Sequence, residues 1–308
     1  MDTMRERFAT VTAQLLDEDP RVAIVLADIG VARFDEIGAI ERHPKRVVNV
    51  GIREQLMIGV ASGLAIEGMR PVVHSYTPFL VERPFEQIKL DLAHQGVAAV
   101  LVSIGASHDA STEGRTHQSP GDVVLLSTLP DWEIHVPGHP DEVERLLRRA
   151  TTGDRSSYIR LASTANSTGY DDTDGFVRLR TGGAAVVVAV GPMLDPVLEA
   201  TADLDVTVLY AATVRPFDHR GLRSALVGSR VVVVEPYLEG TSSSVVSIAL
   251  QDVPHRLLSV GVENVELRRY GRPSEHDAAH GLDAAGLRDR IGRFVAGDST
   301  PAHLPLLL

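Results

Sequence analysis

The sequence predicts an α/β protein of two domains, each built on a parallel or mostly parallel sheet. Three observations carry that prediction. Short apolar runs recur along the 308 residues without the alternation of half-exposed strands, as expected where both faces of a strand are covered. Helical periodicities separate these runs, the pattern of strand–helix–strand units with right-handed crossovers. A stretch rich in Ser, Thr, Gly and Asp, 166–180, has no apolar period and reads as a linker. The expected domains are therefore 1–165 and 181–308.

Taken in order, the strand candidates are 22–27, 71–74, 98–104, 184–190, 206–210 and 230–235. Helical patterns occupy 53–66, 85–94, 141–150, 195–202 and 284–294. The chain contains no internal repeat, and its tail, 301–308, is expected to do no more than dock on the surface.

Composition narrows the function classes. A hydrophobic fraction of 44% supports real cores, yet no run reaches the ~18 apolar residues of a membrane helix. Residues 1–7 are charged and no apolar segment follows them, so a secretory leader is not expected. The absence of cysteine excludes disulfides, thiolate catalysis and Cys-based zinc sites. A net charge of -11 with no basic stripe argues against nucleic acid or an anionic membrane as the main partner, and reads as solubility. Together these features suggest a cytoplasmic protein.

Three segments carry chemistry. The first is Asn49-Val50-Gly51-Ile52-Arg53-Glu54-Gln55, where Gly51 permits an unusual turn and Arg53 and Glu54 open a helix. Small residues in that helix (Gly59, Ala61, Ser62, Gly63, Ala65) allow close packing. Taken alone, Glu54 is a helix-start carboxylate that complements the dipole. The second segment is Thr77-Pro78-Phe79-Leu80 with Phe85-Glu86-Gln87, and the third is Gly114-Arg115-Thr116-His117-Gln118.

In this order and at this spacing, the three resemble the motifs with which transketolases and 1-deoxyxylulose-5-phosphate synthases hold thiamine diphosphate. The similarity continues at Val233-Val234-Glu235 and at Gly281-Leu282-Asp283-Ala284-Ala285-Gly286. The chain is thus similar to the pyrimidine-binding and C-terminal domains of a transketolase. The resemblance implies that Glu54 bonds the pyrimidine ring nitrogen and shares its proton, because the thiazolium carbon is too weak an acid for a side chain to deprotonate directly. It also implies that Phe79 stacks on the pyrimidine, that Phe85 helps close the pocket, and that Asp28 and Ile29 lie beside the thiazolium. His117 corresponds to a histidine that contacts the substrate's reacting oxygens and moves or donates a proton. Arg160 aligns with a substrate arginine of the synthases.

Several features depart from the family pattern. In these families a Gly-Asp-Gly signature and an Asn hold the cofactor's diphosphate and Mg²⁺. No Gly-Asp-Gly occurs in this sequence, and its nearest fragment is Thr173-Asp174-Gly175. The resemblance therefore implies a companion subunit carrying that half-site, in an α₂β₂ arrangement. Glu82 stands where transketolases place another pocket aromatic, and Gly105 stands for their substrate histidine. Ser163 replaces a phosphate-binding arginine, which leaves Arg160 and Arg5 as alternatives and points to a less phosphorylated or different sugar. His276 and His280 are four residues apart, but the intervening pattern lacks the Glu of a helical zinc motif and no third ligand is evident. No metal is therefore expected on this chain. Asn166-Ser167-Thr168 is a glycosylation sequon without meaning in the cytoplasm. The expected activity is transfer of a ketol or acyl unit between sugar-like carbonyl compounds. The alternatives are the β subunit of a 2-oxoacid dehydrogenase or acetoin-type complex, and a non-catalytic regulatory half.

Overall fold

The computed structural model describes residues 2–171 and 174–297. Thr173 and the tail 301–308 lie outside the described residues. The strands are β1 (Val22–Leu26), β2 (Val47–Asn49), β3 (Arg70–Tyr76), β4 (Val100–Ile104), β5 (Glu133–His135), β6 (Ser157–Arg160), β7 (Val177–Arg180), β8 (Ala185–Val190), β9 (Val206–Ala211), β10 (Thr213–Arg215), β11 (Arg230–Leu238) and β12 (Arg256–Val262). They form two sheets, ordered β10-β5-β6-β4-β3-β1-β2 and β12-β11-β8-β9-β7. Among these described strands only β10 against β5 and β7 against β9 pair antiparallel, so both sheets are mostly parallel.

The continuous apolar runs follow from double coverage. Val25, Val73 and Leu101 face a core completed by Met57, Ile58 and Ala61 of the helix Glu54–Ile66. Their neighbours Ile24, Val72 and Val100 face Phe8, Leu15, Leu16, Val143 and Leu147 of the helices Met4–Glu18 and Pro140–Thr152. Each such fully buried side chain contributes about 1.5–3 kcal/mol relative to exposure. The first of these cores runs on without interruption into Val186, Val188, Val231 and Val233 of the second sheet. The helices Leu194–Ala200 and Ala284–Ala296 cover that sheet's far face.

Two expectations change. The segment 166–180 is not all linker, because its last four residues are β7, hydrogen-bonded along β9. Its apolar content is too low to mark a strand, since β7 is an edge strand with partly exposed residues. The rest of the segment is also pinned. Asn166 is buried, donates to Gly191 O at 3.0 Å and receives Asp195 N–H at 3.3 Å, so its sequon is a structural asparagine. The second change concerns the helix expected over 85–94. It begins as an α-turn at Phe85–Gln87 and widens to a π-helix over Ile88–His94.

Candidate functional site

Parallel strands end together at one edge of the first sheet, and the loops beyond those ends build the site. A tight turn, closed by Arg53 N–H to Gly51 O at 2.7 Å, delivers Glu54 to the first position of its helix. There the carboxylate is only 2% exposed. Asn49 ties this turn to the end of β1. Its Oδ1 receives both Gly51 N–H and Asp28 N–H at 3.0 Å, and its Nδ2 donates to Asp28 Oδ1 at 3.2 Å. Asp28 is thereby held near the Glu54 turn with its carboxylate exposed, while Ile29 packs against the core under the sheet.

From Glu54 the site continues as a line of contacts. Arg83 Nη1 donates to Glu54 Oε1 at 2.6 Å, and the guanidinium carbon lies 4.2 Å from the centre of the Phe79 ring. Phe79 meets the His117 ring edge-on at 5.0 Å, and Tyr76 meets it at 5.4 Å. Phe79 rides on the wide helical turn Pro78–Glu82, whose Arg83 N–H reaches back to Pro78 O at 3.0 Å. Phe85, half-buried, packs into the core behind that turn. The structure thus brings Glu54, Phe79 and His117 together along one path. Sequence reasoning missed Arg83 and Tyr76, which flank the motif residues without belonging to any pattern.

The loop carrying His117 is held from both domains. On the first-domain side, Ser119 Oγ donates to Glu82 Oε1 at 2.7 Å, so Glu82 anchors the loop where an aromatic was missing from the family pattern. From the second domain come four ties. Ser111 Oγ donates to Gly271 O at 2.7 Å, Arg115 Nε to Glu266 Oε2 at 3.0 Å, Ser107 Oγ to Pro236 O at 2.6 Å, and Leu238 N–H to Pro120 O at 2.8 Å. Gly114, at φ +81°, lies against Tyr270, so that a Cβ there would sit 2.7 Å from the ring.

Arg160 does not stand beside His117 as a free substrate cation. It is 2% exposed, its Nε bonds Asp122 Oδ2 at 2.7 Å, and its Nη2 donates to Ser107 Oγ at 2.6 Å. Tyr158 OH also donates to that Asp122 oxygen at 2.6 Å. As placed, the charge of Arg160 is compensated inside the fold, and a buried pair of this kind is costly to break.

His276 and His280 also find another role. Both stack on His108 across the domain boundary, at 5.4 and 5.8 Å, and His108 Nε2 pairs with Asp277 Oδ1 at 2.7 Å. Burial pushes His280 down to about 4 and lowers His276 as well, which favours the uncharged rings in this stack. Among the described residues no three His, Asp or Glu side chains converge as a metal set. Likewise, among the described residues no helix is long and apolar enough to cross a membrane.

The buried Glu54 carboxylate, with an aromatic face and an imidazole in line beyond it, fits the aminopyrimidine end of thiamine diphosphate. Comparison with known proteins gives the family. Residues 2–166 match the family described as "Transketolase, pyrimidine binding domain", and residues 175–287 match "Transketolase, C-terminal domain". The chain is 52% identical to an uncharacterized 33.6 kDa protein in the fasciation locus of Rhodococcoides fascians, over 94% of this chain and 93% of that one. It is 29% identical to one of the named subunits of the apulose-4-phosphate transketolase of Actinobacillus succinogenes, covering 93% of this chain and 95% of the relative. It is 30% identical to the 1-deoxy-D-xylulose-5-phosphate synthase of Polaromonas naphthalenivorans over 96% of this chain, but spans only 48% of that enzyme. Among solved structures, a split gene transketolase described as an inactive beta4 tetramer superposes with a TM-score of 0.82 at 23% identity, covering 95% and 98% of the two chains.

Proposed function

The chain belongs to the transketolase family, and from that premise we propose that it is the C-terminal subunit of a split, thiamine-diphosphate-dependent transketolase-like enzyme. The observation that carries this reading is the buried Glu54 carboxylate, lined up with Arg83, Phe79 and His117 at the strand ends. The split arrangement draws support from near-complete coverage of a relative whose name makes it one subunit of a transketolase. It also draws support from the lack of any Gly-Asp-Gly in the sequence. A companion chain then holds the diphosphate and Mg²⁺, in an α₂β₂ assembly with two sites, in the cytoplasm.

Bound thiamine diphosphate supplies a nucleophilic carbon that severs and forms carbon–carbon bonds beside a carbonyl. The residues of this chain do the rest. Glu54 holds the pyrimidine ring nitrogen and exchanges a proton with it, from a position screened from bulk water. Phe79 fixes the plane of that ring by stacking, worth about 0.5–1.5 kcal/mol beyond its area. Phe85 and Ile29 would contribute apolar surface to the cofactor's surround, and Asp28, exposed at the end of β1, would be the residue beside its thiazolium. His117 donates a hydrogen bond to the substrate oxygen, on which charge develops in the transition state.

Calorimetry tests the division of the site. The purified chain alone is expected to bind thiamine diphosphate and Mg²⁺ poorly, and to bind them tightly once a companion with Gly-Asp-Gly and a metal-binding Asn is added. Tight, metal-dependent binding by this chain alone overturns the split site.

A further inference from the structure

Tyr76, which meets His117, also lines a cavity of about 320 Å³. Gly105, the residue standing for a family histidine, forms the same wall at φ +65°; a Cβ there would strike the Tyr76 ring at 2.3 Å. A side chain at that position would have to displace the Tyr76 ring.

Asp109 and Ser163 also line the cavity. Ser163 N–H donates to Asp109 Oδ2 at 2.8 Å, and Ser163 Oγ donates to Asp109 Oδ1 at 2.9 Å. Both carboxylate oxygens are oriented by these bonds, and each retains a lone pair for a further donor. Glu113 adds a second carboxylate to the lining, and among the described lining residues Arg5 is the single cation. Arg5 is exposed, on the first turn of the helix Met4–Glu18. The positive end of that helix would otherwise favour an anion. Two donors at that end are engaged in a capping box, since Glu6 N–H bonds Thr3 Oγ1 at 3.2 Å and Thr3 N–H bonds Glu6 Oε2 at 2.8 Å.

Such a lining offers acceptors to hydroxyl groups. A phosphate or sulfonate would bring three acceptor oxygens and a negative charge against the acceptors of Asp109 and Glu113, with Arg5 the one cation in the lining. Granted the transferase reading above, we infer that this cavity receives the acceptor and selects an uncharged, polyhydroxylated aldehyde over its phosphate or sulfonate ester, with Asp109 as the specificity-determining residue. Ser163 is then a positioning residue, since it acts by orienting the Asp109 carboxylate.

The test uses the assembled enzyme with its companion subunit. The kcat/KM values for D-erythrose and D-erythrose 4-phosphate are compared, because their ratio reports differential transition-state binding. The wild type is expected to use the phosphate no better than the free sugar. Asp109→Asn combined with Ser163→Arg removes one charge and adds a bidentate donor, and should move the ratio by ~10²-fold toward the phosphate. Binding of the unreactive pair erythritol and erythritol 4-phosphate is measured in parallel by calorimetry, which needs no turnover. A wild-type preference for the phosphate of ~10-fold or more overturns the inference. So does a ratio that the double variant leaves unmoved, or a failure of the wild type to bind erythritol. Selective erythritol binding without turnover of any aldehyde leaves the charge selection standing and overturns the transfer reaction instead.

Discussion

Glu54 and His117 stand at the two ends of one line of contacts through Arg83 and Phe79 but are supported differently. Every polar contact described around Glu54 comes from the first domain: the Gly51–Arg53 turn, Asn49 and Arg83. The His117 loop leans on the second domain at Pro236, Leu238, Glu266, Tyr270 and Gly271. On the proposed reading, proton exchange at the cofactor rests on one domain's polar contacts, whereas substrate positioning rests on how two domains dock. A lesion in the second domain should therefore disturb the handling of substrate before it disturbs the activation of cofactor.

The largest effect expected comes from the Glu54 side. Glu54→Gln is nearly isosteric and can still accept from Arg83, so fold and assembly should survive while turnover drops by ~10²-fold or more. Exchange of the cofactor's thiazolium C2 proton, followed by NMR in the assembled enzyme, isolates the step. Normal exchange in that variant would reduce Glu54 to a helix-start residue.

A second effect probes the frame on which His117 leans. Glu235 of β11 is fully buried; one oxygen receives Ser242 N–H at 3.2 Å and the other has no partner among the described residues. Burial raises its carboxyl from 4.5 to about 7, so the fold favours the protonated form. That contribution is fully present below pH ~4.5 and is lost as pH rises through about 7. Glu235→Gln should match the wild type near pH 4.5 and exceed its stability at pH 8.5 by roughly 3 kcal/mol. Urea unfolding at the two pH values measures this, and equal midpoints at pH 8.5 would remove the titration from the account.

The smallest effect separates the two supports. Gly114→Ala places a methyl against Tyr270 at a backbone angle that L residues rarely adopt, costing about 1–3 kcal/mol locally. We expect kcat/KM to fall by ~10-fold while C2 proton exchange stays normal. Adding Tyr270→Ala should restore space but not the backbone angle, giving partial recovery. Slowed C2 exchange in Gly114→Ala would mean that the two supports are not independent.

Much of this arrangement was legible in the residues. Central strands such as β3, β4, β8 and β9 are readable because both faces are covered, which forces unbroken apolar runs. Three-residue strands such as β2, β5 and β10 carry too few side chains to impose any pattern. The helix Met4–Glu18 did leave a sign, the Thr3–Glu6 capping box, which its charged surroundings obscure. Glu54, Phe79 and His117 stand out through their motifs. Arg83 and Asp109 do not, because their partners Glu54 and Ser163 lie 29 and 54 residues away, and no local periodicity encodes such meetings. Arg160 shows another long-range meeting: its alignment suggested a substrate cation, and Asp122, 38 residues distant, is the partner its charge finds in the fold.

Strand β10 decides how the chain can be divided. It leaves the second sheet's neighbourhood to close the outer edge of β5, with Thr213 opposite His135. The halves are therefore not separable modules, although each matches its own family description. A fragment ending before Thr213 would expose the bare edge of β5, a row of free donors and acceptors ready to recruit a strand from another molecule. Attempts to shuffle or transplant the first half alone should thus yield sticky, self-associating material unless residues 213–215 travel with it.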